Sequence, residues 1–310
     1  MKLLGRLAAG VVALLVLVVV GLTVAGALYS PVESVPAGHV GRRIAVGDRQ
    51  LRVHELGEGP PILFVHGSPG SIEDWLPMME QLAASHRVIA YDRPGHGFSD
   101  GAGAPGTLAD NLAALRGVVK ALDLKDVVVV GHSYGGATAV ALAVENPAEV
   151  RAFVIVGSRS YPPTVVDPLY RLLAPPVLGD GVARAATALV GPSKMKKGIE
   201  AAFSPNEAQI PPGFVEARTK LWSSAKVTAA LARESVKYED GLSDVTPKYA
   251  GIRAKLWVVH GDSDPRLPTA RKLAETVKGA ELTVLENTGH YVQFVRPAEL
   301  EQVIRRAAAR

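Results

Sequence analysis

The decisive stretch of the sequence is 127-VVVVGHSYGG-136, in which Gly131, Ser133 and Gly135 form the pattern Gly-x-Ser-x-Gly. The four valines before it are typical of a buried strand, and the Ala-rich residues 137–144 after it favour a helix. A serine between such a strand and such a helix occupies a sharp turn, where the flanking glycines avoid side-chain clashes and the hydroxyl projects from the sheet. The stretch therefore predicts Ser133 as a nucleophile.

Other apolar runs on both sides of this stretch predict a sheet of eight strands. Runs rich in Val and Ile with little alternation are typical of strands covered on both faces. The predicted strands lie at about 42–46, 51–55, 61–66, 87–91, 127–131, 152–156, 255–260 and 281–285. Gly47-Asp48 favours a hairpin between the first two strands. The alternation of strands and helices that follows predicts an α/β fold with a mostly parallel, doubly wound sheet flanked by helices.

This alternation stops between about residues 160 and 252. The stretch has no convincing strand, and proline pairs such as Pro175-Pro176 and Pro211-Pro212 separate its Ala-rich helical pieces. A second, independent domain is one interpretation. Predicted sheet strands on both sides of the stretch favour instead a helical cap inserted over a single site. We therefore expect one catalytic domain over 42–310 that carries this cap.

The Gly-x-Ser-x-Gly turn resembles the nucleophile turn of the α/β-hydrolase superfamily, and the resemblance runs from about Arg42 to the C-terminus. It implies the α/β-hydrolase fold and a hydrolytic activity. A serine hydroxyl is a poor nucleophile until a base takes its proton, and a carboxylate must orient that base. In this family the three groups follow the chain order serine, acid, histidine.

Candidates for the acid and the histidine follow the last two predicted strands. His290 is the only histidine after the acid loop, 261-GDSDP-265. That loop offers two carboxylates: Asp264, which matches the acid position of the family, and Asp262, which we expect to serve the turn. The predicted catalytic triad is therefore Ser133, Asp264 and His290.

The resemblance also implies an oxyanion hole made of two backbone N–H groups. One belongs to Tyr134, directly after the nucleophile, and the other to Ser68 in 66-HGSPG-70, a loop similar to the His-Gly loop of the family. An ordinary glycine turn is the alternative for that loop. The segment 92-DRPGHGFS-99 matches a further family segment, to which we assign packing and not chemistry.

Ester or related acyl-bond hydrolysis of a small molecule is the main functional expectation, and it requires neither a cofactor nor a metal. Ser133 attacks, His290 moves the proton, Asp264 orients the imidazole, and water releases the acyl group. Serine-dependent carbon–carbon bond hydrolases, aminopeptidases and haloperoxidases of the family are the alternatives. A non-catalytic, membrane-tethered binding protein is a further alternative from another class. Ser133 argues against epoxide and haloalkane hydrolysis, for which relatives use an aspartate nucleophile.

The substrate depends on the residues that line the cap, and the sequence does not place them. Aromatic side chains are candidates for the wall of the pocket, although each is equally suited to the core. These candidates are Trp75, Tyr161, Phe203, Phe214 and Trp222.

Composition excludes several other functional classes. The chain has no cysteine, which excludes disulfides, thiolate catalysis and cysteine metal sites. Its formal charge of +4 over 310 residues is small, and its basic residues are scattered apart from a short cluster at Lys194, Lys196 and Lys197. We interpret that cluster as a solvated surface and not as a nucleic-acid site. The hydrophobic fraction of 48% is sufficient for a large core. None of these features determines the oligomeric state.

Residues 1–28 form a separate N-terminal segment. Lys2 and Arg6 precede an uncharged apolar run from Leu7 to Leu28, and about 20 such residues in a helix match the hydrocarbon thickness of a bilayer. We expect a retained membrane anchor, a linker over 29–41 and a catalytic domain outside the cytoplasm. The alternative is a secreted or periplasmic enzyme after signal cleavage, since Ala25-Gly26-Ala27 resembles a cleavage site.

Overall fold

A computed structural model describes residues 2–27, 35–101, 104–162 and 165–309 of the chain. Eight strands form one sheet in the order β1-β2-β4-β3-β5-β6-β7-β8. They are β1 (Arg42–Val46), β2 (Arg49–Leu56), β3 (Pro61–Val65), β4 (Arg87–Tyr91), β5 (Val127–His132), β6 (Val150–Val156), β7 (Lys255–Gly261) and β8 (Glu281–Leu285). β2 pairs antiparallel with β1 and β4, and all other neighbours are parallel. The predicted mostly parallel, eight-stranded sheet is confirmed.

Helices cover both faces of the sheet because its central strands are apolar on both sides. Every residue of β5 is buried. The helices outside the cap are α1 (Lys2–Ala27), α2 (Leu76–Leu82), α3 (Leu108–Ala121), α4 (Tyr134–Val144), α9 (Leu267–Thr276), α10 (Val292–Val295) and α11 (Pro297–Ala308). One apolar core lies between the sheet and α3, α4 and α9, and a second lies between the opposite face and α2 and α11.

The inserted helical cap is confirmed between β6 and β7, where the described residues contain no strand. Its helices are α5 (Pro168–Leu173), α6 (Leu178–Phe203), α7 (Phe214–Trp222) and α8 (Ala225–Val245). An apolar cluster that includes Phe203 and Trp222 of the cap packs against Tyr291, just after the last strand. A partly buried ion pair also attaches the cap to the catalytic domain, since Nε of Arg218 donates to Oδ1 of Asp74 over 2.9 Å. The cap therefore lies over the carboxyl end of the sheet.

The N-terminal helix α1 lies outside both sheet cores. Its described apolar side chains are exposed, with Leu17 at 68%. Within the described residues, no helix combines the length and hydropathy that crossing a bilayer requires. The predicted membrane anchor is therefore not supported. Leu28, at the end of that segment, and residues 29–34 of the predicted linker lie outside the described residues.

Candidate active site

Ser133 occupies the turn between β5 and α4 with φ 54° and ψ −118°. A positive φ is uncommon for a residue with a side chain, and hydrogen bonds hold it in place here. The N–H of Ser133 donates to the carbonyl oxygen of Val156 (2.9 Å), and Oγ of Ser158 donates to the carbonyl oxygen of Ser133 (2.8 Å). Gly135 allows the helix to start so close to β3, because a Cβ there would lie 2.4 Å from the carbonyl oxygen of Val65. These features match the strand-to-helix turn expected for a nucleophilic serine, which we call the nucleophile turn.

His290 and Asp264 form a direct hydrogen bond, in which Nδ1 of His290 donates to Oδ2 of Asp264 over 2.6 Å. Their loops follow the neighbouring parallel strands β8 and β7, so the carboxyl ends of these strands bring the loops together. The alternative carboxylate, Asp262, accepts instead from Oγ of Ser263 (2.9 Å) and from the N–H of Thr288 (3.3 Å). Of the two candidate acids, Asp264 is the one in contact with the histidine.

Burial and neighbouring charges set the protonation of this pair. Burial lowers the pKa of His290, and the charge of Arg266 adds to that effect, while the hydrogen bond to Asp264 opposes it without reversing it. Burial acts to raise the pKa of Asp264, but the nearby His260 and the hydrogen bond from His290 outweigh it and hold that pKa well below its usual range. At neutral pH the pair is a neutral imidazole beside a carboxylate. A neutral imidazole with Nδ1–H bonded in this way can accept a proton at Nε2.

Ser133 and His290 line one cavity of about 290 Å³ beneath the cap. The hydrogen bonds of the described residues include none between the Ser133 hydroxyl and the imidazole. Cap helices supply most of the apolar wall, including Tyr170, Leu173, Met195, Ile199, Trp222 and Leu231. Of the five aromatic residues considered as pocket candidates, Trp222 is among the described lining residues. The other four are buried elsewhere: Trp75, Tyr161, Phe203 and Phe214.

The loop 66–70 lies against the nucleophile turn. A Cβ at Gly67 would lie 3.1 Å from Cβ of Ser133, so the loop backbone approaches the serine closely. Ser68 lines the same cavity as Ser133, and Tyr134 is the first residue of α4. The N–H groups at the start of a helix have no acceptor within the helix, and the described backbone hydrogen bonds outside helices and strands include none from the N–H of Tyr134. The assignment of the oxyanion hole to Ser68 and Tyr134 stays a prediction that this placement permits.

Three further side chains contact the histidine and its acid, and the sequence interpretation assigned none of them a role. Nε2 of His260 lies 3.5 Å from Oδ2 of Asp264, and Nη1 of Arg266 donates to Oδ1 of the same carboxylate over 3.0 Å. Nε2 of His132 donates to the carbonyl oxygen of His290 over 3.0 Å. The contact of His260 with Asp264 could have been predicted, because the two residues lie four apart at the end of one strand. The other two contacts depend on loop conformations that spacing does not determine.

The charged side chains that line the cavity are cationic. Lys194 and Arg266 lie among the described lining residues, which include no Asp or Glu. Each cation has one partner outside that lining set, Asp167 for Lys194 and Asp264 for Arg266. Among the described residues, no group of three or more His, Asp or Glu is arranged to hold a metal ion. The cavity wall therefore carries two cationic side chains, and each is already paired with an aspartate.

Comparison with known proteins extends this description over most of the chain. The sequence model of the Alpha/beta hydrolase family matches residues 62–303, from β3 to α11. The chain is 28% identical over 275 residues to a 2-hydroxymuconate semialdehyde hydrolase of Pseudomonas sp. (strain CF600), which covers 86% of this chain and 92% of the relative. It is 28% identical over 266 residues to a 2-hydroxy-6-oxo-2,4-heptadienoate hydrolase of Pseudomonas putida, covering 82% and 91%.

One relative has a name that indicates a different activity. The chain is 30% identical over 247 residues to a non-heme haloperoxidase of Rhodococcus erythropolis, covering 76% of this chain and 87% of the relative. Among solved structures, a meta-cleavage product hydrolase superposes with a TM-score of 0.71 at 20% identity, over 86% of this chain and 97% of the other. At that identity the superposition shows a shared fold.

Proposed function

The chain is a hydrolase of the alpha/beta hydrolase family, and we propose that it cleaves a carbon–carbon bond beside a ketone carbonyl. In this proposal Ser133 is the nucleophile, His290 the base and acid, and Asp264 the orienting carboxylate. The observation that carries the mechanism is the 2.6 Å bond between His290 and Asp264 at the wall of the cavity that Ser133 shares. Such an arrangement converts a serine hydroxyl into a nucleophile.

The first half-reaction forms an acyl-enzyme. Oγ of Ser133 adds to the ketone carbonyl while Nε2 of His290 takes the hydroxyl proton, and this contact can tighten once a substrate occupies the cavity. The N–H groups of Ser68 and Tyr134 stabilise the charge that develops on the carbonyl oxygen. In a conjugated dienol substrate the enol proton must first move to the carbon beside the ketone, which leaves a 2-oxo group at the other end of the conjugated fragment. The carbon–carbon bond then breaks, its electron pair delocalises onto the 2-oxo oxygen, and His290 returns the proton to the leaving fragment.

The second half-reaction consumes one water molecule. His290 takes a proton from water, the hydroxide attacks the acyl carbon, and the bond to Oγ of Ser133 breaks. His290 then returns the proton to the serine. The net reaction adds one water across one carbon–carbon bond and yields a carboxylic acid and a fragment with a new C–H bond.

Two relatives support hydrolysis of a carbon–carbon bond over hydrolysis of an ester, which was the main expectation from the sequence. The hydrolases of 2-hydroxymuconate semialdehyde and of 2-hydroxy-6-oxo-2,4-heptadienoate are carbon–carbon bond hydrolases, and they match 86% and 82% of this chain. Ester hydrolysis would use the same acyl-enzyme and differs only in the leaving group. A carboxylate on the substrate, as in a dienoate, would meet Lys194 and Arg266 at the cavity wall, where each is already paired with an aspartate.

The test compares the turnover of 2-hydroxy-6-oxo-2,4-heptadienoate with that of p-nitrophenyl acetate. Turnover of the dienoate is measured as the loss of its absorbance. We expect the dienoate to have the higher kcat/KM and Ser133→Ala to lower kcat by at least about 10³-fold on either substrate. The matched control is Ser85→Ala, which removes an exposed serine hydroxyl that does not line the cavity. It should retain wild-type rates.

The two parts of the proposal can fail separately. Full activity of Ser133→Ala would exclude the serine mechanism. Turnover of the ester alone, still dependent on Ser133, would retain the mechanism and exclude the carbon–carbon assignment.

A further inference from the structure

Glu234, on cap helix α8, is a carboxylate buried against the catalytic domain, with 1% of its surface exposed. Four side chains of that domain donate to it: Arg93 and Asn111 to Oε1, and Ser68 and His96 to Oε2. One of these donors, Ser68, belongs to the loop that lies against the nucleophile turn. A single carboxylate thus joins the cap to the predicted oxyanion loop.

This carboxylate is charged at neutral pH. Burial acts to raise the pKa of Glu234, but the charges of Arg93 and His96 outweigh it and lower that pKa to about 2. Arg93 is itself fully buried. A buried guanidinium needs a counter-charge, and Glu234 supplies it.

Arg93 carries the effect of Glu234 to the backbone of the loop. Its Nη2 donates to the carbonyl oxygen of Gly67 (2.7 Å), and its Nε donates to that of His66 (3.0 Å). The carbonyl of Gly67 and the N–H of Ser68 belong to one trans peptide unit, so they point in opposite directions. Fixing that carbonyl on Arg93 therefore fixes the direction of the Ser68 N–H on the other side of the loop. The close approach of Gly67 to Ser133 shows that the nucleophile lies beside this peptide unit.

We propose that Glu234 is a positioning residue of the oxyanion hole. Through Arg93 it holds the carbonyl of Gly67, and through the Ser68 hydroxyl it holds the next residue, so that the Ser68 N–H is aimed before the substrate binds. The proposal rests on the serine mechanism stated above. Because Glu234 belongs to α8, the oxyanion hole is complete only when the cap is docked.

Another residue of α8 provides a matched control for cap docking. Nζ of Lys226 donates to the carbonyl oxygens of Gly97 (2.7 Å) and Ser99 (2.8 Å), and the described contacts of Lys226 include none to the loop 66–70. Loss of either side chain weakens the attachment of the same helix. Only loss of Glu234 removes the contact to the oxyanion loop.

The experiment measures kcat, KM and inhibition by phenylboronic acid on the full chain, with the faster of the two substrates above. A boronate adds to the nucleophilic serine and places a negatively charged oxygen in the oxyanion hole, so its Ki reports that hole directly. We expect Glu234→Gln to lower kcat by about 10- to 100-fold with KM within about twofold, and to weaken boronate binding by a similar factor. Lys226→Met should lower the Tm and leave both kcat and the boronate Ki near wild type.

A second substitution covers the risk that Glu234→Gln fails to fold. Ser68→Ala removes one hydroxyl from a half-buried residue and retains the backbone N–H. It should lower kcat in the same direction, and the double variant should lose less than the product of the two single losses, because both act on one peptide unit.

The results that would overturn the inference are distinct from those that would overturn the serine mechanism. Wild-type kcat and boronate affinity in Ser68→Ala, or in a folded Glu234→Gln protein, would overturn it while Ser133→Ala remains inactive. Equal losses of boronate affinity in Lys226→Met and Glu234→Gln would also overturn it, because cap docking alone would then explain the effect. Activity in Ser133→Ala would instead refute the proposed function.

Discussion

Nη1 of Arg266 lies 3.4 Å from Nδ1 of His290 and 3.0 Å from Oδ1 of Asp264. A guanidinium charge is therefore located beside both members of the pair. A positive charge disfavours the imidazolium form, so Arg266 acts with burial to lower the pKa of His290. The same charge lowers the pKa of Asp264. A charged side chain of the cavity wall, Arg266, thus helps to set the pKa of His290.

Replacing Arg266 with Gln should make the enzyme less active at low pH. The base must be neutral to accept the serine proton, so kcat/KM falls as the pH drops through the pKa of His290. Removing the guanidinium removes one of the causes that lower this pKa, so the acid limb of the kcat/KM profile should move to higher pH. The control is Arg271→Gln, an exposed arginine on α9. An acid limb that stays in place in Arg266→Gln would show that Arg266 does not tune the base.

Substitution of the two candidate acids should separate their roles. Asp264→Asn removes the carboxylate that accepts from Nδ1 of His290, and it should lower kcat by about 10⁴-fold through the wrong imidazole tautomer. Asp262→Asn changes an exposed turn residue and should leave kcat within about twofold of wild type. Steady-state rates at saturating substrate, with the Tm of each variant, decide the matter. Equal losses in both variants would argue against Asp264 as the sole orienting acid.

The strands and the nucleophile turn were predictable because their signals are local. Val127 to Val130 are buried on both faces, and Ser133 follows within three residues. The contact of His290 with Asp264 was also accessible, since neighbouring parallel strands bring their carboxyl ends together. The roles inferred for Glu234 and Arg266 were not predictable. The first depends on how α8 packs on the loop 66–70, and the second depends on the conformation of the loop that contains Asp264. Tertiary packing decides such contacts. The hydrophobic periodicity of a sequence predicts helices and strands, but it does not predict which side chains meet between them.

Breaking the buried ion pair of Arg52 and Asp92 should strongly destabilise the fold. Nε of Arg52 donates to Asp92 over 2.6 Å, and neither side chain is exposed. Asp92→Asn removes one of the two carboxylates that pair with the buried guanidinium of Arg52 and leaves only Glu73. The free energy of unfolding should therefore fall by about 3 kcal/mol. Urea unfolding at neutral pH measures this change.

The control for that prediction is an exposed ion pair of the same chemistry. Arg42 pairs with Glu55 while 62% of its side chain is exposed, and Arg42→Gln should cost less than about 1 kcal/mol. Equal destabilisation by the two substitutions would show that burial does not set the strength of the Arg52 pair.

Gly198 offers a way to narrow the cavity without disturbing its walls. It lies in α6 and lines both the 290 Å³ cavity of Ser133 and a neighbouring cavity of about 560 Å³ that shares Arg266 and His290. A Cβ at this position would meet nothing within 4 Å. Gly198→Leu should therefore fold and project its side chain into open space. We expect kcat/KM for p-nitrophenyl octanoate to fall by at least about tenfold while that for p-nitrophenyl acetate stays near wild type.

The alanine variant separates cavity filling from effects on the helix. Gly198→Ala adds one methyl group and should stabilise α6 by about 0.5–1 kcal/mol, because glycine is a poor helix former, with both esters hydrolysed at wild-type rates. An equal fall of both rates in Gly198→Leu would mean that the leucine disturbs the catalytic groups. Unchanged rates for both esters in that variant would place the acyl chain elsewhere. A selective loss for the octanoate would locate the acyl chain beside α6, on the side of His290 where the two cavities meet.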